Sequence, residues 1–208
     1  MQRVSKEQNF ETAALLRDQL QNLEWLLKTP VSPDEYIVNP NLAADLRQDA
    51  IEALADVIPN VAGKSMHRIE FFDNAHLAGS APTSAMAVAI DGEITPRHYR
   101  HFTIKKAQSN SDVDMMKEVM DRRLKNKDWP RPDLIVLDGG RPQLSINTDF
   151  PNVIALAKKQ EIIYLPQGGE IKLPRTHAGL RLLQRLRDEA HRFSRRLHHK
   201  HRRQEVLK

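Results

Sequence analysis

The run Asp133-Leu-Ile-Val-Leu-Asp138, bounded by Pro132 in front and Gly139-Gly140 behind, is apolar at four consecutive positions. A strand with one face in water alternates apolar and polar residues, whereas a strand without alternation needs cover on both faces. The chain must therefore build a central sheet with helices on each side.

The neighbouring segments supply such an architecture. Arg68–His76 and Thr83–Asp91 read as strands, Asp91-Gly92 as a hairpin turn, and Ile94–Ile104 as a third strand. Ser111–Asn126 reads as a helix whose apolar face is Met115, Val119 or Met116, and Leu124. Val153–Ala157 and Ile162–Leu165 read as short strands, followed by a turn at Gly168-Gly169. Leu180 to about Arg203 reads as a long basic helix with the stripe Leu183, Leu186, Ala190, Phe193 and Leu197. An antiparallel meander, a helix and then a buried strand is a mixed-sheet α/β order. No GxGxxG or phosphate-loop motif occurs.

The N-terminal end is organised differently. Ala13, Leu16, Leu20, Leu23 and Leu27 repeat at spacings of three and four inside a helix predicted over residues 9–28, with Asn9 as its cap. So narrow a seam suits one partner helix, from another protein, a second copy or a piece missing from this chain; the alternative is a helix packed on its own body. Pro30, Pro33 and Pro40 make the next stretch a linker, and a second helix, capped by Asn41, runs roughly over 42–58, ended by Pro59 and Gly63. The expected division is a helical segment over 1–28, linker and helix over 29–64, and a mixed α/β domain over 65–208.

Composition narrows the chemistry. With no cysteine, a disulfide scaffold, thiolate metal sites and a cysteine nucleophile are excluded. No apolar run approaches the roughly 20 residues that span a bilayer, and the first residues lack a signal-peptide core. From Arg175 to Lys208 there are eleven Lys/Arg against three Asp/Glu, a local +8 on a chain of net +5, so the remainder carries −3. A basic arm on a mildly acidic body suits a polyanion. Arg181, Arg185, Arg187, Arg192, Arg195 and Arg196 are its candidate phosphate contacts.

Two aspartates interrupt or end strands that read as buried. Singly, Asp138 reads as a turn residue and Asp73 as part of a polar strand face. Together, in a mixed sheet beside a basic arm, they point to a carboxylate site for Mg²⁺ or Mn²⁺. His191 lies just off the apolar stripe, among arginines, where it would orient or deprotonate a water near phosphate. It reads equally as one surface histidine among several. His76, three residues after Asp73 in a strand, falls on the opposite face. Asp112 and Asp114 complement a helix N-terminus, and one of them would serve as a further metal carboxylate.

At these residues the chain resembles the C subunit of the bacterial UvrABC nucleotide-excision-repair excinuclease. The resemblance rests on Arg68-Ile-Glu-Phe-Phe-Asp-Asn-Ala-His, Tyr99-Arg-His-Phe-Thr-Ile-Lys, Met116-Lys-Glu-Val-Met-Asp-Arg-Arg and Pro132-Asp-Leu-Ile-Val-Leu-Asp-Gly-Gly. Ile154-Ala-Leu-Ala-Lys-Lys, Ile171-Lys-Leu-Pro-Arg and Gly179-Leu-Arg-Leu-Leu-Gln-Arg-Leu-Arg-Asp-Glu-Ala-His-Arg-Phe continue it in order over about 67–203. The segment from Asn9 to Leu20 is similar to the family's UVR motif.

The resemblance implies an RNase H-like mixed sheet flanked by helices, preceded by the helical UVR segment. It implies a metal-dependent endonuclease making the 5′ incision beside a DNA lesion, with Asp73, Asp138, His191 and Asp112 at catalytic positions and Asp73 and Asp138 as metal ligands. Phe10, Ala13, Leu16, Leu20 and Leu23 would dock on UvrB, UvrA would act indirectly, and the protein would work in the cytoplasm. Two motifs depart from the family pattern: Asp73-Asn-Ala-His76 stands for Asp-Ile-Ser-His, and Arg141-Pro142 replaces a basic–Gly pair. The family's GIY-YIG nuclease domain and helix-hairpin-helix pair have no counterpart here, so a fragment or truncated form is expected. The competing expectations are a non-catalytic module binding DNA and UvrB, and a different RNase H-like nuclease such as a resolvase.

Overall fold

The computed structural model describes residues 38–39, 41–75, 82–105, 111–146, 149–158 and 160–206, with side chains through 196. The predicted UVR helix, with Phe10, Ala13, Leu16, Leu20 and Leu23, lies outside the described residues, as do Pro30, Pro33, Pro40, His76 and the side chains of His198, His199 and His201. The chain falls into two compact units, Met1–Ala43 and Ala44–Lys208, and the second contains the whole sheet.

Eight strands form one mixed sheet: β1 Arg68–Ala75, β2 Thr83–Ile90, β3 Glu93–Ile94, β4 Arg100–Thr103, β5 Leu134–Asp138, β6 Val153–Ala157, β7 Ile162–Tyr164 and β8 Glu170–Lys172. The order is β3-β2-β1-β5-β6-β7-β8, with β4 sharing the outer edge of β2 with β3. β5 lies parallel to β1 on one side and β6 on the other, and the remaining pairings are antiparallel. The apolar run of β5 therefore sits at the centre, as its lack of alternation requires. Asp91 and Gly92, both with positive φ (48° and 72°), make the two-residue turn joining β2 to β3.

Two expectations are corrected. The predicted third strand over Ile94–Ile104 is broken into β3 and β4. Pro96 has no N–H to give a ladder and fixes φ, and the chain turns through a 3-10 turn at Pro96–His98 before pairing resumes. The turn at Gly168-Gly169 leads into an additional strand, β8, paired antiparallel with β7.

Helix α1 (Leu42–Val57), α2 (Asp112–Lys125) and α3 (Ala178–Val206) cover the sheet. Ser111 caps α2, its hydroxyl accepting from the Val113 N–H, and Asp112 and Asp114 occupy the first turn, where the helix dipole favours them. α2 packs on the face carrying Arg68, Glu70 and Phe72. The Glu70 carboxylate, fully buried, accepts Arg123 Nε at 2.8 Å and Nη2 at 2.9 Å, and Arg68 Nε at 2.7 Å. α3 covers the opposite face, which bears Ile69 and Phe71. α1 lies against α3 so closely that a Cβ on Gly179 would stand 2.8 Å from Leu54 Cα. Ala50, Ile51, Leu54 and Ala55 join this core. Among the described residues no helix is long and apolar enough to cross a membrane.

Candidate active site

Strand register builds the site. In β1 the side chains of Ile69, Phe71 and Asp73 share one face, and in β5 those of Leu134, Val136 and Asp138 do. Parallel pairing sets Ile69 beside Leu134, Phe71 beside Val136 and Phe72 beside Leu137. One residue further on, Asp73 and Asp138 stand side by side at the C-terminal ends of adjacent parallel strands, facing α3.

A tight loop holds the second aspartate. Gly139 takes φ +134°, which side-chain-bearing residues rarely adopt, and a Cβ there would lie 2.5 Å from Gln143 Cδ. Gln143 Oε1 accepts the Gly140 N–H at 2.9 Å, and the Gly139 N–H donates to Leu156 O at 3.1 Å, tying the loop to β6.

α3 brings in the third group. His191 Nδ1 lies 2.7 Å from Asp73 Oδ2, and its Nε2 lies 3.7 Å from Asp138 Oδ2. One ligand atom from each of Asp73, Asp138 and His191 falls within 4.8 Å of the others. Asp138 Oδ1 and His191 Nε2 are buried without a hydrogen-bond partner. Burial, and then the neighbouring Asp73 charge, push the Asp138 carboxyl up to about 6. The hydrogen bond to Asp73 raises the His191 imidazole above its ordinary value despite the opposing effect of burial. A pair of oxygen donors, one of them unsatisfied, beside an imidazole is a donor set that suits a hard divalent cation.

The other candidate residues are placed unequally. Asp112 is exposed at the start of α2 and stands outside the three-residue cluster, although its carbonyl accepts Asn74 Nδ2 at 3.0 Å, one residue from Asp73. Arg181, Arg192, Arg195 and Arg196 are exposed along α3. Arg192 forks onto Glu189 at 3.0 and 2.6 Å, and Glu189 also accepts the Tyr99 hydroxyl at 3.1 Å. Arg185 is partly buried beside Arg47, and burial lowers its pKa.

Arg187 departs from the exposed arm expected of it. It is 7% exposed and grips both oxygens of Glu161, at 2.9 and 3.2 Å, in the β6–β7 turn. Its position four residues before His191 puts it on the helix face that meets the sheet, and a guanidinium there needs an internal partner. Glu161 and Gln143 had no signal in the sequence beyond proximity to Gly and turn residues. Their partners are fixed only by tertiary packing.

A family model described as the UvrC RNase H endonuclease domain matches residues 61–194, and one described as the UvrB/uvrC motif matches residues 1–24. The UvrABC system protein C of Chlorobium phaeobacteroides is 37% identical over 188 residues, covering 84% of this chain and 29% of that protein. The same protein from Carboxydothermus hydrogenoformans is 36% identical over 210 residues, covering 89% of this chain and 33% of that protein. The chain thus spans a third or less of the length of these curated relatives. Endonuclease V of Ciona intestinalis, solved with a 24mer DNA containing an inosine followed by a ribo-adenosine, aligns with 75% of this chain and 69% of that one, at 18% identity and a TM-score of 0.37. By its sequence, then, the chain belongs to the UvrC family and carries that family's RNase H endonuclease domain together with its UVR motif.

Proposed function

We propose that the chain is a metal-dependent DNA endonuclease that makes the 5′ incision beside a lesion in nucleotide excision repair, acting with UvrB through its UVR motif and with UvrA indirectly, in the cytoplasm. One observation carries the reading: Asp138, which has one buried carboxylate oxygen without a partner, offers a ligand atom within 4.8 Å of those of Asp73 and His191, in the RNase H domain of a UvrC-family chain.

Asp73 and Asp138 would hold Mg²⁺ or Mn²⁺. When bound, the cation supplies charge neutralisation at the phosphate and a more acidic water. The chain's own residues do the rest. Asp73 accepts the Nδ1–H of His191, which fixes the tautomer and leaves Nε2 to accept a proton from water. Hydrolysis forms one bond from the water oxygen to phosphorus and breaks one P–O ester bond, and the departing oxygen takes up a proton. Gly139 leaves the space that Gln143 fills, and so lets the loop after β5 close behind Asp138. Arg181, Arg195 and Arg196 would bind flanking phosphates without reading bases. Asp112 remains a proposed additional acidic residue at the edge of the site.

Calorimetric titration with Mn²⁺ separates the nuclease from a non-catalytic DNA- and UvrB-binding module. Saturable binding that is lost in Asp73→Ala supports the nuclease. No binding, or binding unchanged in Asp73→Ala, supports the module.

A further inference from the structure

Three parallel strands, β1, β5 and β6, end on the same side of the sheet. Two of them deliver aspartates, and the third has been given no role. Asp138 is paired with Leu156 of β6, so these two side chains share a face. Lys158 follows two residues later, at the first turn position after β6 and at the end of the sheet where Asp138 stands. A rise of about 3.3 Å per residue puts its Cα only about 7 Å beyond that of Leu156. Gly139 N–H donates to Leu156 O, so the Asp138 loop and the end of β6 are fastened to one another.

We propose that Lys158 contacts a non-bridging oxygen of the scissile phosphate and stabilises the charge that builds there during hydrolysis.

Two further observations agree. Lys158 is exposed, and among the described residues no carboxylate pairs with it. Arg187 of α3 is held on Glu161 by two hydrogen bonds and cannot serve. A compact ammonium on a flexible stem suits a point contact with phosphate.

This inference rests on the nuclease reading. The test uses the full chain with UvrA and UvrB, Mn²⁺ and a lesion-bearing duplex already nicked on the 3′ side. Single-turnover cutting at saturating protein is compared for wild type, Lys158→Gln and Lys158→Arg, with thermal melting and Mn²⁺ titration on each. The expected loss in Lys158→Gln is about 10²-fold in rate, with melting and Mn²⁺ binding unchanged, while Lys158→Arg keeps most of the rate. Cutting by Lys158→Gln within about threefold of wild type, or a defect confined to DNA affinity, overturns the inference and leaves the nuclease reading standing. Absence of metal-dependent cutting by wild type overturns both.

Discussion

Replacing Asp138 by Asn should stabilise the metal-free protein while abolishing the proposed metal site. The Asp138 carboxyl is pushed from 3.8 to about 6, first by burial and then by Asp73. In the folded state it therefore holds its proton more tightly than in the unfolded chain. Stability is intact below the unfolded value, is lost as pH rises from about 4 to about 6, and the penalty is complete above that. At 1.36 kcal/mol for each tenfold change, the full penalty is ~3 kcal/mol. The side chain is 19% exposed, and solvent screening roughly halves this, to about 1–2 kcal/mol. Asparagine keeps the shape without the charge. For a domain of this size the gain is a Tm rise of about 3–6 °C at pH 7.5 in the presence of a chelator. The gain should shrink toward nothing by about pH 4, where the wild-type carboxyl is also neutral. Melting curves followed by circular dichroism across this range are the assay. An Asp138→Asn protein that melts below wild type at pH 7.5, or whose gain is independent of pH, refutes the description of Asp138 as a buried carboxylate whose charge destabilises the metal-free fold.

The geometry dictates three further outcomes. Glu70→Gln leaves Arg68 and Arg123 buried without their anion and should cost about 3–5 kcal/mol in urea unfolding, whereas a glutamate bridging two exposed arginines would cost a fraction of that. Arg195→Ala should weaken duplex binding and flatten its dependence on salt by about one phosphate contact, while Arg187→Ala should lower Tm, because Arg187 is committed to Glu161. Gly139→Ala introduces a methyl group 2.5 Å from Gln143 at φ +134° and should cost about 1–3 kcal/mol from backbone strain alone, measured by denaturant titration.

The sequence made the frame of the fold legible where one residue's environment decides its pattern. Leu134 to Leu137 had to be central because four apolar neighbours cannot share one buried face. Asp91-Gly92 had to turn, and Ser111 had to begin a helix. What remained hidden depends on residues far apart in the chain. Nothing local says that Asp73 and Asp138 are neighbours, because their adjacency comes from the β1–β5 register across more than sixty positions. Nothing local says that His191 reaches them, since the same spacing suits a solvated basic helix. Arg187 looked like its exposed neighbours because charge in sequence carries no information about which helix face meets a sheet. Glu70, set among apolar residues, reads as a polar interruption until Arg123 of α2 arrives on it. The broken third strand was written in Pro96, whose missing N–H outweighs the flanking β-formers.

Whether Asp73, Asp138 and His191 form a metal-dependent cutting site is tested most directly by incision of a lesion-bearing duplex, already nicked on the 3′ side, by this chain with UvrA and UvrB. A 5′ cut should appear with Mn²⁺ or Mg²⁺, disappear with chelator, and be absent in Asp138→Asn. A cut that persists in the chelator or in Asp138→Asn, or no cut from folded, DNA-bound protein with metal present, contradicts that assignment.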